Sequence, residues 1–320
     1  MPSDQLWSTL CHLNTPPDNP IVPDPNFLLG GILIGSGSEF RARAVCYLNP
    51  NHVIDGVAYA SFGYLYCEDN METFQALTKA ISELISKHKV SNVLGPMNGS
   101  TWNEYRLVSS EQAKPFLLEP VTAPYLNDFF QQNNWKQHAN YYSQHTVSMK
   151  DNWFKMLPKY EAFVRKGVQF SEFDKSKAKS LFTELSHFCN KAFANNYLFS
   201  PISTADFVAK MMKVLPILDP SLTVIARNES KEIVGFIFAY EDLLNPTQKT
   251  LVIKTLARSP LSIYRGIGSV LMAKVTRIAR RKNFVAAIHA LMMETNVSNK
   301  ISSKFSGTKF RTYSLYSKSF

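Results

Sequence analysis

One order of patterns occurs twice along the 320 residues, and it restricts the fold more than any other feature. In each half, strand-like runs give way to a helical period, a strand, a second helical stretch and a closing strand. In the first half, residues 27–66 read as strands separated by turns at 35–37 and 49–51. Residues 71–88 then place Phe74, Leu77, Ile81, Leu84 and Ile85 on one helical face, with Asp69 and Glu72 as a capping pair. A short buried strand at 92–95, a helix at 125–130 and a strand at 141–147 follow. The second half predicts helices at 177–193 and 207–215, a hairpin of 223–227 with 232–240, and a strand at 250–257. A helix at 266–281, a strand at 286–292, a short helix at 298–305 and a last strand at 310–316 complete it. A repeat of about 150 residues predicts two domains of one design rather than a solenoid. The expected units are a Pro-rich arm (1–26), a first domain (27–150), a mixed polar and aromatic connector (151–167) and a second domain (168–320).

Composition excludes several classes. The chain is 45% hydrophobic, too apolar for a disordered protein. Its 4 cysteines form no C-x-x-C pair, which argues against a disulfide scaffold or a zinc ribbon and favours a reducing, cytoplasmic setting. The arm carries six prolines up to Pro25 and no Lys or Arg, unlike a signal peptide. No apolar run is long enough for a transmembrane helix. The seven scattered histidines give no metal-site spacing, so no metal is expected.

The net charge of +10 is unevenly distributed. Residues 1–150 hold 9 basic and 13 acidic side chains, a net of −4; residues 151–320 hold 26 and 12, a net of +14. From Lys254 onward there are 13 basic residues and one acid, Glu294. The second half is built to sit near something negative: nucleic acid, an anionic membrane or a phosphorylated small molecule. No helix-turn-helix, finger or RNP pattern supports nucleic acid as the partner.

The turn Arg265-Gly266-Ile267-Gly268-Ser269 lies between a strand and a helix. Glycines there let backbone approach a ligand, and the free N–H groups of a helix start form an anion site. The run lacks the Lys-Ser/Thr of a Walker loop and the spacing of a dinucleotide fingerprint. Downstream stand Asn296 and, eleven residues later, Gly307.

Strand, R-G-x-G turn, helix, strand ending in Asn, short helix, Gly and strand together resemble the GNAT N-acetyltransferase superfamily across 168–320. The runs Gly95-Pro96-Met97-Asn98-Gly99-Ser100-Thr101-Trp102 and Ala290-Leu291-Met292-Met293-Glu294-Thr295-Asn296 resemble those of bacterial tandem-GNAT proteins of undefined substrate. The resemblance implies an α/β (α+β) fold of two tandem GNAT-like domains, each a mixed, mostly antiparallel twisted sheet flanked by helices. It implies an acyl-CoA-dependent N-acyltransferase, most simply an acetyltransferase, with acetyl-CoA or another acyl-CoA as co-substrate. The acceptor would be an amine on a small molecule or peptide. Arg265, Gly266, Ile267, Gly268 and Ser269 would hold the pyrophosphate. Thr255, Leu256 and Ala257 would line the pantetheine arm and supply the oxyanion donor, and Asn296 would contact that arm. Two departures stand out. Ile263 occupies the first motif position, and Ser303 falls where the family has the tyrosine that protonates the leaving thiolate. Tyr313 and Tyr316 are alternative proton donors or core aromatics. A non-catalytic CoA binder and an aminoacyl-tRNA-linked transferase remain the other readings of the same scaffold.

Attack on a thioester needs a neutral amine, hence a base. Glu241, Asp242, His289 and Glu294 are the candidates, with an ion pair as the other reading of Glu294 and a core histidine that of His289. Asn195, Asn196 and Tyr197 lie where such proteins bind the acceptor, or cap a helix. In the first half the matching turn reads Cys67-Glu68-Asp69-Asn70-Met71-Glu72, whose carboxylates repel a pyrophosphate. That half is therefore expected not to bind CoA in the usual way, and to cover the acceptor cleft or bind the acceptor through Asn98, Ser100, Thr101 and Trp102.

Overall fold

Strand patterning places twelve strands of this chain in one sheet, seen in a computed structural model that describes Pro23 and residues 25–36, 39–110, 114–295 and 307–320. The first half contributes β1 (Leu28–Ser36), β2 (Glu39–Tyr47), β5 (Ala60–Cys67), β6 (Asn92–Gly95), β7 (Leu107–Val108) and β8 (Lys136–Thr146). A small hairpin of β3 (Val53–Ile54) and β4 (Val57–Ala58) lies outside the sheet. The second half contributes β9 (Gln169–Glu172), β10 (Thr223–Arg227), β11 (Ile233–Glu241), β12 (Thr250–Arg258), β13 (Ala286–Met293) and β14 (Thr308–Ser319). The order across the sheet is β1-β2-β5-β6-β14-β8-β13-β12-β11-β10-β9, with β7 on β14. Among the described strands only β5–β6 and β12–β13 pair in parallel. The result is the expected mixed, mostly antiparallel sheet flanked by helices.

The closing strands are exchanged. β8, from the first half, pairs with β13, and β14, from the second half, pairs with β6, β7 and β8. Period-2 alternation fixes which face of a strand is buried but not which neighbour it takes.

Among the described residues six α-helices cover the sheet: α1 (Met71–Ser86), α2 (Tyr125–Gln132), α3 (Trp153–Arg165), α4 (Ala178–Ala192), α5 (Thr204–Val214) and α6 (Ile267–Arg281). The predicted apolar faces are the buried ones. Phe74, Leu77, Ile81 and Ile85 of α1 are at most 2% exposed, a burial of about 1.5–3 kcal/mol each. Val270, Leu271 and Val275 of α6 are fully buried against β10–β12. Two details differ from the sequence reading. The cap of α1 is Asn70, whose carboxamide accepts from Thr73 N–H at 2.9 Å, while Glu68 takes the Thr73 hydroxyl and Arg41. The connector is helical: α3 runs through Pro158 and packs on α6. The short helix expected at 298–305 lies outside the described residues.

Candidate functional site

β12 creates an opening by parting from one neighbour. Its parallel ladder with β13 runs from Thr250↔Ala286 to Ile253↔His289 and stops, while its antiparallel ladder with β11 continues to Gly235↔Arg258. An irregularity in the β11 ladder between Thr255 and Ile253 leaves Lys254 as an extra residue at the point of divergence. Thr255, Leu256 and Ala257 therefore run along one wall of a V-shaped slot. β13 forms the other wall, where Leu291 bends the chain with φ +59°. Two side chains hold that bend. The Leu291 N–H donates to Ser143 Oγ of β8 (3.0 Å), and its carbonyl accepts from the Arg106 guanidinium (2.9 Å). Arg106 is itself sandwiched by Tyr105 and Tyr141, 3.9 and 4.1 Å from the ring centroids.

Beyond β12 the chain reaches the glycine turn. Gly266 has φ +98°, a conformation that favours glycine, and caps α6. Ile267 and Gly268 are buried while Arg265 is exposed, and Ser269 N–H donates to the Gly266 carbonyl at 3.1 Å. The first turn of α6 holds no acid. Lys159 of α3 stands against it: a Cβ on Gly266 would come within 2.9 Å of Lys159 Nζ. A lysine ammonium, an exposed arginine and the positive end of a fifteen-residue helix thus converge on one spot. Nothing local marks Lys159 for this place, because its segment has the mixed polar and aromatic pattern of a connector. Asn296 and Ser303 lie outside the described residues.

Each of the candidate carboxylates has a partner of its own. Asp242 is 2% exposed and accepts from Leu117 N–H (2.9 Å), Asn245 Nδ2 (2.5 Å) and Leu244 N–H (3.3 Å). It pins the 114–119 segment and its own loop instead of facing a ligand. Glu241 pairs with Lys249 at 3.7 Å beside Leu251, at the closed end of the slot. Glu294 is half-exposed and pairs with Lys309 at 2.8 Å, as its alternative reading anticipates. His289 is buried in β13, and burial lowers its pKa to about 4. Tyr313 is also buried: its hydroxyl donates to Glu119, lies 3.0 Å from Ser143 Oγ, and is pushed well up by burial. Tyr316 donates to Asn127 inside the first half's core. Asn195 and Asn196 are exposed, whereas the Tyr197 hydroxyl meets His138 Nε2 of β8.

The turn at 98–102 touches the second half directly. Trp102 lies among Phe193, Phe199 and Phe207, and its indole N–H donates to the Ser200 carbonyl at 2.8 Å. Asn49 bridges Gly99 O and Ser200 Oγ, each at 2.8 Å. Asn103 accepts from Lys210 of α5. Two charged residues missed in the sequence lie under this turn, Glu104 and Lys254. Burial pushes Glu104 up to about 8 and Lys254 down to about 7, each opposed by the other's charge. Nothing in the local sequence of either residue marks it; only the fold brings them together.

The first half has the same divergence, between β5 and β6 after Ser61↔Leu94, but its own chain fills it. Met97 N–H donates to Phe62 O (2.6 Å), and Asn98 Oδ1 accepts from Tyr64 N–H (2.7 Å). A Cβ on Gly63 would lie 1.9 Å from that Asn98 oxygen, so the contact leaves no gap.

No protein-family model and no curated protein matches the sequence. Solved structures do. A GCN5-related glucosamine N-acetyltransferase region of a fungal multi-domain GH3 β-N-acetylglucosaminidase superposes with TM-score 0.53 and 12% identity over 88% of this chain. This chain spans only 32% of that protein. A GCN5-related N-acetyltransferase from Sphaerobacter thermophilus gives TM-score 0.52 and 13% identity, covering 91% of this chain and 81% of its own. A tandem GNAT protein from the clavulanic acid biosynthesis pathway gives 0.49 and 11%, covering 90% and 82%. The fold is that of the GCN5-related N-acetyltransferases.

Proposed function

We propose that this chain is an acyl-CoA-dependent N-acyltransferase whose second half carries the reaction, transferring an acetyl or longer acyl group to an amine of a small molecule or peptide. The observation that carries the proposal is the continuity of the β12–β13 slot with the electropositive turn at Gly266. A narrow slot walled by extended backbone suits a pantetheine arm, and the turn suits its pyrophosphate. In this reading Arg265, Gly266, Ile267, Gly268, Ser269 and Lys159 surround the phosphates. The backbone of Thr255, Leu256 and Ala257 lines the thioester and offers N–H groups to the developing oxyanion. Bound acyl-CoA supplies the activated acyl group.

The first half serves the reaction as a cover. Its own slot is filled, and Glu68 and Glu72 stand at the start of its helix. Its Asn98–Trp102 turn closes over α4 and α5, where an acceptor would lie. A cytoplasmic setting is supported by Cys46, Cys67 and Cys189, which are free and buried. Among the described residues no helix is long and apolar enough to cross a membrane.

Thermal shift with CoA, acetyl-CoA and longer acyl-CoAs tests the proposal. All should raise Tm, the shift growing with concentration. Gly268→Asp, which puts a negative charge in the first turn of α6, should remove the shift. A protein that no CoA species stabilises would overturn the reading.

A further inference from the structure

Lys254 is the extra residue of β12, one position beyond the last β12–β13 pair. It therefore sits at the apex of the slot, where a thioester would lie. Glu104 reaches the same place from the first half. It is framed by Asn103, held by Lys210 of α5, and by Arg106, held by the carbonyl of Leu291 on the opposite wall. Glu104 also borders a small cleft shared with Tyr64, Asn98, Tyr105 and Arg106.

Both side chains are surrounded by protein yet retain partial solvent exposure, as groups on a cleft floor do. Among the described residues neither makes a hydrogen bond or a close ion pair. Buried ionisable groups normally have such partners. An amine and a carboxylate left without them beside an open slot are available for chemistry.

We infer that Lys254 is a self-acylation site, taking the acyl group from bound acyl-CoA with Glu104 as the proton acceptor. This rests on the acyl-CoA reading above. The uncharged Nζ attacks the thioester carbonyl and a C–N bond forms. The C–S bond breaks, and CoA leaves as the thiolate with the bonding electron pair. The proton lost from nitrogen passes to the Glu104 carboxylate. The product is an amide on Lys254, which removes one positive charge from the slot beside Arg106. The reactive pair is an uncharged amine with an ionised carboxylate. Glu104, Arg106 and Glu119 act on Lys254, and Lys254 and Lys210 on Glu104. Raised pH favours that pair, because Lys254 loses its proton near 7 and Glu104 near 8.

The full chain is incubated with acetyl-CoA at pH 6.5, 7.5 and 8.5, and acetylation is mapped by peptide mass spectrometry with thermal shift run in parallel. The expected result is stoichiometric acetyl-Lys254, forming faster at higher pH. Lys254→Arg should abolish the mark, and Glu104→Gln should slow it by about 100-fold. Both variants should keep their acetyl-CoA thermal shift. If acetyl-CoA does not stabilise the wild type, the acyl-CoA reading fails and this inference with it. If it stabilises the protein but Lys254 stays unmodified, or marks scatter over surface lysines, only this inference is overturned. Unchanged labelling of Lys254 in Glu104→Gln removes the role of Glu104.

Discussion

Gly266 allows the anion site to be tested with two substitutions that share one backbone cost. At φ +98° any L-residue pays the left-handed penalty, about 1–2 kcal/mol. The new Cβ would meet only the flexible end of Lys159, at 2.9 Å, which can swing aside. Gly266→Ala should therefore lose about 1–2 kcal/mol in urea unfolding and less than about tenfold in CoA affinity, because the N–H donors of α6 survive. Gly266→Asp carries the same strain and adds a negative charge about 5 Å from where the proposed phosphates would lie. At an effective dielectric of about 20, that repulsion is about 3 kcal/mol per phosphate charge. It also neutralises Lys159. The loss of CoA affinity should exceed about 100-fold. For folding the sign reverses: an acid at a helix N-terminus is favourable by about 0.3–1 kcal/mol, so Gly266→Asp should unfold no more easily than Gly266→Ala. Calorimetric titration with CoA, paired with urea melts of all three proteins, separates the effects. Equal CoA affinity in the two variants would refute the placement of the phosphates at this turn.

Three further outcomes follow from the packing. Arg311→Met should cost about 3–5 kcal/mol, because it strips the buried Glu119 of an ion pair at 3.3 Å; adding Glu119→Gln should restore at least half of that in a double-mutant cycle, and additive losses would count against the pair. Trp102→Ala should cost about 3 kcal/mol or more and weaken the seating of the first half's turn on α4 and α5, seen as faster proteolysis within 98–106; an unchanged melt would show that the aromatic cluster is dispensable. His52 is fully buried with neither ring nitrogen hydrogen-bonded, and burial lowers its pKa from 6.5 to about 4. Its depressed folded pKa means that stability is complete above 6.5 and lost as pH falls toward 4, by about 3 kcal/mol; His52→Leu should flatten urea midpoints across that window, and parallel curves would exclude His52 as the cause.

The elements of this fold are written locally, and they were legible. Helical spacing marked the buried faces of α1, α4 and α6, and alternation with turns marked the strands. The glycine turn was legible too, since a positive φ before a helix demands a residue type. What failed was whatever depends on distant partners. Asp242 looked like a site acid because it ends a core strand, yet its lone pairs are taken up by Leu117 and Asn245. Lys159 is one lysine in a helix broken in appearance by Pro158, and only the packing of α3 on α6 brings it to Gly266. Glu104 and Lys254 lie 150 positions apart, and no spacing rule joins them.

The exchange of β8 and β14 has a consequence for the two halves. A duplicated pattern suggests that residues 151–320 would fold alone. In the sheet, however, every neighbour of β14 belongs to the first half, and β13 has β8 along one whole side. Cutting at residue 150 would leave twelve residues of β14 with no ladder partner and expose the edge of β13. Tyr313 and Leu315 would lose the core made by Leu94, Val108, Ala139 and Tyr141. An unpaired strand beside a bare edge is an aggregation template. The isolated second half should therefore be insoluble or molten, while co-expression with residues 1–150 should recover a soluble complex that melts cooperatively. A monomeric 151–320 fragment with dispersed amide resonances and a cooperative melt would refute this. If the fragments do reassemble, the complex should bind CoA and the first half alone should not, because the slot of the first half is occupied by Met97 and Asn98 in either state.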